Sequence, residues 1–234
     1  MSPNHSSLIL FDCDGTLVDS HNHIIRTVQQ SFIHCGLEEP CADEAREVIG
    51  FSLFAAICKL LPESEQKRAE YVCSVYRNLY VQNGNKGSEP LYPGVKTTLT
   101  NLIVRGYSLG IVTGKSTKGL MRIFEQHAFE GMFSVWRSAD QCPSKPHPAM
   151  VLECMQETDI SPDRTVVVGD SCMDMEMASE SGVAALGVSY GAQKAERLLA
   201  TGANAVVDCM PDLLTFFPSL SNANQDMMIM IRKE

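Results

Sequence analysis

Short apolar runs alternate with amphipathic segments through most of the chain, and this alternation restricts the possible folds more than any other feature. The apolar runs are 7–12, 107–113, 133–139, 165–170, 183–189 and 204–207, and helical periodicity is found at 95–105, 117–128, 147–157, 173–181 and 192–200. Strands that are apolar on both faces are typical of parallel sheets covered by helices on both sides. We therefore predict an α/β fold whose core is a Rossmann-like parallel sheet with helices on both faces.

A long helical stretch separates the first apolar run from the others. Apolar residues recur at helical spacing in segments at about 20–36, 42–49, 53–61 and 64–82, and no part of this stretch resembles a strand. Because the first strand belongs with the later ones, the helices are an insertion. We predict a core domain formed by residues 1–18 and 88–234, and an inserted all-helical cap domain formed by residues 19–87.

Two further stretches lie outside this pattern. Residues 83–94 are rich in Gly, Asn and Pro, which predicts a linker or a set of turns. The tail at 218–234 carries the apolar run MMIMI between polar residues and has no assigned role.

The composition argues against several classes of partner. The net charge of −9 argues against a general affinity for nucleic-acid phosphates. No apolar stretch approaches the roughly 20 residues that span a bilayer, and the N-terminus lacks the pattern of a signal peptide. The nine cysteines are scattered without a Cys-x-x-Cys pair, which is typical of reduced thiols in a cytoplasm. We expect a cytoplasmic monomer or homodimer with no nucleic-acid and no membrane partner.

Two aspartates stand one residue apart directly after the first strand, in the stretch FDCDGTLVDS. The carboxylates of Asp12 and Asp14 repel each other unless something else is bound there. Because ligands of open parallel sheets bind beyond the carboxyl ends of the strands, we also consider the other strand ends. These carry Thr113, Gly114, Asp170 and Asp174, and a loop at the same edge carries Lys145.

Each of these residues has an ordinary structural explanation when it is taken alone. An aspartate at a strand end commonly caps the following helix, and a loop lysine is commonly solvated. Taken together, the acids, the hydroxyl and the lysine form a charged pocket in which a divalent cation would relieve the repulsion. Ligands that are all oxygen atoms favour Mg²⁺ over zinc.

Such a pocket suits phosphoryl transfer. A carboxylate beside Mg²⁺ can attack phosphorus and form an aspartyl phosphate, while lysine, a threonine hydroxyl and backbone N–H groups hold the phosphoryl oxygens. A carboxylate two residues further along can protonate the leaving oxygen and later take a proton from the hydrolytic water. The paired aspartates therefore predict one nucleophile and one proton shuttle.

The same residues resemble the haloacid dehalogenase superfamily. The matching motifs, in the order of that family, are Asp12-x-Asp14-Gly15-Thr16, the strand-end Thr113, Lys145 before Pro146, and Gly169-Asp170-Ser171-x-x-Asp174. The helical insertion after the first motif resembles the subclass with a C1 cap. The stretches FDCDGTLVDS, LYPGV, SKPHPAM and GDSCMDMEMA resemble its phosphoglycolate phosphatase-like branch, and the resemblance covers residues 7–207.

The resemblance implies roles for the four acids. Asp12 would be the nucleophile and a Mg²⁺ ligand. Asp14 would be the general acid/base and would give its backbone carbonyl to the metal. Asp170 would also ligate the metal, and Asp174 would support it directly or through water.

The phosphate-binding residues are implied in the same way. Thr113 and the amide of Gly114 would hold the phosphate, and Lys145 would neutralise both the nucleophile and the phosphate. Position 114 departs from the family pattern, because many relatives carry Asn there. This leaves the role of Thr113 intact and puts a side-chain contact from position 114 in doubt.

By this resemblance the chain is a Mg²⁺-dependent phosphatase of a small phosphorylated metabolite, a phosphomonoester similar to phosphoglycolate. Asp14 favours a phosphatase over dehalogenases and phosphonate hydrolases, which generally lack the second aspartate. A sugar-phosphate mutase and an inorganic pyrophosphatase remain alternatives. A non-enzymatic phospho-acceptor module, similar to a receiver domain, also combines acids, a hydroxyl and a lysine, but such modules are shorter and lack the helical insertion.

In this subclass the cap closes over the substrate, and its loop that faces the core is expected to set specificity. We assign that loop to VIGFSLFAA, residues 48–56, where Gly50 permits the turn and Ser52 caps the next helix. A plain helix–helix connection is the alternative.

Four aromatic residues of the predicted cap have open roles. They are Phe51, Phe54, His21 and His23. We expect one of the two phenylalanines to pack in the cap interior. We expect both histidines to be solvated residues of a first helical turn, with a place at the active-site mouth as the alternative.

Overall fold

The computed structural model of the chain describes residues 7–83 and 89–220. Its strands are β1 (Leu8–Phe11), β2 (Ser108–Val112), β3 (Val135–Arg137), β4 (Thr165–Gly169), β5 (Ala184–Val188) and β6 (Ala205–Val207). They form one sheet in the order β3-β2-β1-β4-β5-β6, and every neighbouring pair is parallel. This is the strand order of a Rossmann-like sheet, and it confirms the predicted fold class.

The strand order changes direction at β1. This strand pairs with β2 on one side, where Leu8 is opposite Ser108, and with β4 on the other, where Leu8 is opposite Thr165. Ligands of such sheets bind beyond the carboxyl ends of the strands, at the point where the order reverses. The ends of β1, β2 and β4 are therefore neighbours at the position where a binding site is expected.

The α-helices divide into two groups. They are α1 (His21–His34), α2 (Ala42–Glu47), α3 (Leu53–Leu60), α4 (Ala69–Asn83), α5 (Val95–Val104), α6 (Thr117–His127), α7 (Ala149–Thr158), α8 (Cys172–Glu180) and α9 (Ala195–Ala200). Helices α5 and α6 pack on one face of the sheet, and α7, α8 and α9 pack on the other. Helices α1 to α4 have an apolar core of their own.

The continuous apolar strands result from burial on both faces. Alternate side chains of β1 point to opposite sides of the sheet. Ile9 and Phe11 join the apolar layer under α5 and α6, whereas Leu8 and Leu10 join the layer under α7 to α9. All four side chains are fully buried, so neither face of this strand can be polar.

The inserted helices carry no strand among the described residues of 20–83, as predicted. The predicted helix at 64–82 is two elements, because a 3₁₀ helix (Glu63–Arg68) precedes α4. None of the residues of the 3₁₀ helix is buried, so no apolar face favours the α-helical period there. The domain boundaries, with the cap at 19–87, stay a prediction.

Other elements also differ from the prediction in extent. β3 is shorter than the run 133–139, and α7 begins at Ala149 rather than at 147. α9 begins at Ala195 rather than at 192, and the N–H groups of Ala192 and Gln193, just before it, donate to Asp170. A 3₁₀ helix (Met210–Thr215) follows β6.

Two predicted segments lie partly outside the described residues. These are 84–88 of the linker and 221–234 of the tail. Within the described ranges, no helix is both long enough and apolar enough to cross a bilayer.

Candidate active site

The predicted site residues gather at the carboxyl edge of the sheet. Asp12, Asp14, Thr113, Lys145, Asp170 and Asp174 are all buried, and Asp14 is the most exposed of them at 8%. Asp12 directly follows β1, Thr113 follows β2 and Asp170 follows β4. Lys145 comes from the loop between β3 and α7, and Asp174 from the first turn of α8. The fold thus brings together residues that are far apart in the sequence.

Lys145 forms a bridge between two carboxylates. Its Nζ donates to Oδ1 of Asp12 and to Oδ1 of Asp174, with both distances at 2.6 Å. Burial would lower the pKa of Lys145, but the charges of Asp12 and Asp174 outweigh that effect and raise the pKa above its usual value. Lys145 is therefore a fixed positive charge and not a solvated loop lysine.

The acids outnumber the lysine at this point. Carboxylate oxygens of Asp12, Asp170 and Asp174 all lie within 4.8 Å of one another. Burial raises the pKa of Asp12 well above its usual value; the charge of Lys145 opposes this rise, and the charges of Asp174 and Asp170 add to it. A buried set of oxygen donors with excess negative charge is suited to a hard divalent cation such as Mg²⁺. The donor set therefore fits the predicted metal.

Asp170 is held from several sides. Its Oδ1 accepts from the Thr16 hydroxyl at 3.1 Å, and its Oδ2 accepts from the N–H of Ala192 at 2.6 Å. Helix capping does not account for this residue, because the N-cap of α8 is Ser171. The carboxylate is fixed by the loops after β1 and β5, which leaves it oriented toward the acid cluster.

Asp174 combines a structural contact with one to the site. Its Oδ2 accepts from the backbone N–H of Ser171 at 3.2 Å and from the Ser171 hydroxyl at 2.6 Å. Its Oδ1 accepts from Lys145. The first turn of α8 therefore determines where the Lys145 ammonium lies.

Asp14 has different partners and is not in the acid cluster. Its Oδ1 is 2.8 Å from Nζ of Lys115, and it also accepts a short hydrogen bond from the Ser20 hydroxyl. Lys115 in turn lies 2.9 Å from Oε1 of Glu89 and 3.1 Å from the hydroxyl of Tyr80 in α4. The Asp14 carboxylate is thus engaged by Lys115 and Ser20, and a metal contact through its backbone carbonyl stays a prediction.

Lys115, Glu89 and Ser20 are not found by the sequence analysis. The available signal is that Lys115 directly follows Thr113 and Gly114 at the end of a strand. Burial would lower the pKa of Lys115, but the charge of Asp14 raises it well above the usual value, with further contributions from Tyr80 and Glu89. Lys115 is a second fixed cation at this edge of the sheet.

The Thr113 side chain is oriented by the backbone of Lys115. Its Oγ1 accepts from the backbone N–H of Lys115 at 3.1 Å. A hydroxyl has one proton to donate and can accept with its lone pairs. Because the contact to Lys115 uses a lone pair, the hydroxyl proton of Thr113 is left to donate to a ligand oxygen.

The predicted cap loop touches the core. Gly50 has a φ of 103°, and the Ser52 hydroxyl accepts from the N–H of Ala55 at 3.4 Å, so both predicted local roles are present. The backbone N–H of Ser52 also donates to the Ser144 hydroxyl at 2.7 Å, next to Lys145. The loop is therefore more than a connection between two cap helices.

The expectations for the histidines and phenylalanines are wrong in part. His21 is buried, and its Nε2 lies 3.4 Å from Oδ2 of Asp170, because the turn after β1 points the start of α1 at the site. Burial opposes the protonation of His21, but the adjacent carboxylate raises its pKa. His23 is half-buried against the ring of Tyr80.

The two phenylalanines both lie outside the apolar core of the cap. Phe54 is 46% exposed, and Phe51 is half-buried under the ammonium of Lys59. The apolar neighbours Ala56 and Ile57 are buried instead.

The comparisons with known proteins agree with this geometry. The sequence profile of the haloacid dehalogenase-like hydrolases matches residues 9–188. The chain is 30% identical over 223 residues to the phosphoglycolate phosphatase of Vibrio parahaemolyticus, covering 92% of this chain and 97% of that protein. A predicted phosphoglycolate phosphatase from Haemophilus somnus superimposes with a TM-score of 0.77 at 28% identity, over 92% of this chain and 99% of that one. A haloacid dehalogenase-like protein from Bacteroides fragilis, 23% identical, superimposes with a TM-score of 0.81 over 89% and 99% of the two chains, which supports the fold.

Proposed function

The chain belongs to the haloacid dehalogenase-like hydrolases, and we propose that it is a Mg²⁺-dependent phosphatase that forms an aspartyl phosphate on Asp12. The observation that carries this proposal is that the paired aspartates have different surroundings. Asp12 lies in the acid cluster beside Lys145, whereas Asp14 lies outside the cluster and is held by Lys115 and Ser20. Two acids on one strand end that differ in this way suit a nucleophile and a proton shuttle.

In the first step, a carboxylate oxygen of Asp12 attacks phosphorus. The new bond joins Asp12 to phosphorus, the bond from phosphorus to the leaving oxygen breaks, and Asp14 gives that oxygen a proton. Lys145 and the hydroxyl proton of Thr113 stabilise charge on the phosphoryl oxygens. Lys145 suits this task because it already contacts the attacking carboxylate.

In the second step, a water molecule attacks the phosphorus of the aspartyl phosphate. Asp14, now a carboxylate, takes a proton from that water, and the bond between phosphorus and Asp12 breaks. Lys115 and Ser20 hold the Asp14 carboxylate in place for both proton transfers. The products are inorganic phosphate and the original Asp12 carboxylate.

The metal would be held by Asp12, Asp170 and the backbone carbonyl of Asp14. When bound, Mg²⁺ would supply positive charge that offsets the repulsion among the acids and polarises the phosphoryl group. Asp174, which lies in the acid cluster and accepts from Lys145 and Ser171, would support the metal directly or through water.

We infer that the substrate is a small phosphorylated metabolite of the phosphoglycolate type. The similarity to the phosphoglycolate phosphatase of Vibrio parahaemolyticus supports this choice, and the burial of every predicted catalytic side chain supports a small leaving group. The nine cysteines are free thiols, which supports a reducing cytoplasm. A monomer or a homodimer remains the expected state.

A substrate panel tests the proposal. The purified protein should release phosphate from small phosphomonoesters, including phosphoglycolate, only when Mg²⁺ is present, and excess chelator should stop the reaction reversibly. Full activity in excess chelator would overturn the metal assignment. Isomerisation of a sugar phosphate without phosphate release would identify a mutase, and cleavage of pyrophosphate alone would identify a pyrophosphatase.

A further inference from the structure

The central part of the cap loop, Gly50–Ser52, packs against the core segments that follow three different strands. The Ser52 N–H binds the hydroxyl of Ser144, which precedes Lys145. A Cβ atom added to Gly50 would lie 3.0 Å from Cε of Met173, in the first turn of α8 after β4. The third approach is at Gly114, after β2, where the loop backbone comes closer than it does at Met173.

Gly114 has no room for a side chain. A Cβ atom at this position would lie 2.5 Å from the carbonyl oxygen of Phe51 and 2.6 Å from that of Gly50. Both are backbone atoms, so they cannot rotate away as a flexible side chain could. The φ of Gly114 is outside the left-handed region, so its own backbone does not require glycine. The approach of the cap loop is what excludes a side chain.

Gly114 also lies between two residues that the proposed reaction uses. Thr113 on one side accepts at Oγ1 from the Lys115 N–H and keeps its hydroxyl proton for a ligand, and Lys115 on the other side is paired with Asp14. The cap loop therefore closes directly beside the phosphoryl group and the proton shuttle. How far it closes limits the space that is left for a leaving group.

We propose that Gly114 is the docking point of the cap loop and that its missing side chain selects small phosphomonoesters. This inference rests on the proposed phosphatase function. A larger residue at this position would hold the loop away from the core.

The substitution Gly114→Ala tests the docking point with little other change. It adds one methyl group and keeps the backbone N–H that is expected to bind phosphate. Displacing a group in an active site by about 1 Å can cost 10²-fold in rate. We expect kcat/KM for phosphoglycolate to fall by roughly 10- to 10²-fold. For the larger p-nitrophenyl phosphate the fall should be smaller, so the ratio of the two kcat/KM values shifts toward the larger substrate.

Hydrogen exchange gives a readout that does not depend on activity. In Gly114→Ala, the peptide that contains residues 50–55 should exchange faster, because the Ser52 N–H loses its bond to Ser144. Ser144→Ala removes the acceptor without touching Gly114, and should shift exchange in the same direction. Gly119→Ala, in α6 and away from the cap loop, is the matched control and should change neither exchange nor the substrate ratio.

The outcomes separate this proposal from the proposed function. If Gly114→Ala folds and leaves both the substrate ratio and the exchange unchanged, the docking proposal is wrong. If it does not fold, unchanged exchange in Ser144→Ala overturns the docking proposal. If the wild-type protein hydrolyses no phosphomonoester, the phosphatase proposal and the selectivity fail, while exchange still decides whether the loop docks on Gly114.

Discussion

Two lysines in this site each bridge a pair of carboxylates, at different places. Lys145 bridges Asp12 and Asp174, each at 2.6 Å, and Lys115 bridges Asp14 and Glu89, at 2.8 and 2.9 Å. In both cases the carboxylates outweigh the effect of burial and raise the pKa of the lysine, so neither ammonium is an acid or base near neutral pH. Each lysine therefore acts through its charge and its position.

The difference between the two lysines lies in what surrounds them. Both partners of Lys145 belong to the core, beside the acid cluster. Lys115 also reaches the hydroxyl of Tyr80 in α4, so its network joins the core to the inserted helices. We infer that Lys145 and its carboxylate partners bind the phosphoryl group. Lys115 and its partners, where cap and core meet, would position the acid that transfers the proton.

The largest effect is expected from Asp12→Asn. An amide oxygen is a poor nucleophile, so this variant should form no phosphoenzyme and show no turnover above the blank. Rapid quench followed by mass spectrometry of the peptide with residues 8–20 measures the first, and phosphate release measures the second. The exposed Asp163→Asn is the charge-matched control. Normal turnover by Asp12→Asn would mean that Asp12, the partner of Lys145, is not the nucleophile.

Asp14→Asn should slow turnover by about 10²- to 10⁴-fold, the usual contribution of general acid–base catalysis. An aryl phosphate needs little protonation of its leaving group, so with that substrate the first step should still proceed. The aspartyl phosphate should then accumulate on Asp12, because no base activates the water. A phosphoryl group found instead on a peptide that contains Asp170 or Asp174 would show that the roles are assigned to the wrong acids.

Lys145→Ala should lower kcat by roughly 10²- to 10³-fold, because one preorganised charge beside the reacting group is lost. The loss should be similar for alkyl and aryl phosphates, since both transfer the same phosphoryl group. Steady-state kinetics on both substrates, with circular dichroism to confirm folding, measures this. The exposed Lys118→Ala is the control, and near-normal turnover by Lys145→Ala would contradict the assignment.

Lys115→Met should have a smaller effect that depends on the substrate. Without its ammonium, Asp14 is less firmly held, and misplacing it should cost roughly 10- to 10²-fold in kcat for an alkyl phosphate. An aryl phosphate, which needs less help from an acid in the first step, should lose less, and KM should change little. Equal losses on both substrates would mean that Lys115 acts on the phosphoryl group, as Lys145 does.

The contrast between the two lysines also shows what sequence can predict. Lys145, Asp12 and Asp170 are predictable because parallel strands place all their carboxyl ends at one edge. The network of Lys115 crosses from β2 to the linker at Glu89 and to α4, and neither hydrophobic periodicity nor motif spacing locates such a contact. The sequence leaves His21 open between solvent and the active-site mouth for the same reason, because a helical pattern does not tell where the first turn points.

Glu89→Gln, at the outer end of the Lys115 network, should change stability rather than the chemical steps. Burial would raise the pKa of Glu89, but the charge of Lys115 and the hydrogen bonds from Tyr80 and Lys115 outweigh it and lower the pKa below its usual value. A carboxyl whose pKa is lower in the folded state stabilises the protein above its unfolded pKa of about 4.3. That stabilisation is lost as the pH falls through the folded pKa. A hydrogen bond to a charged group contributes about 1.5–3 kcal/mol, which sets the expected loss at pH 7.

Urea unfolding of the wild type and Glu89→Gln across this pH range measures the difference. The two free energies of unfolding should differ by about 1.5–3 kcal/mol at neutral pH and converge in acid, where the wild-type side chain is also neutral. The exposed Glu125→Gln is the control and should show no such convergence. A difference that stays constant with pH would mean that Glu89 contributes packing and not charge. Asp14 would then be the only carboxylate that stabilises the charge of Lys115, and the contact of Lys115 with the cap would depend on the Tyr80 hydroxyl.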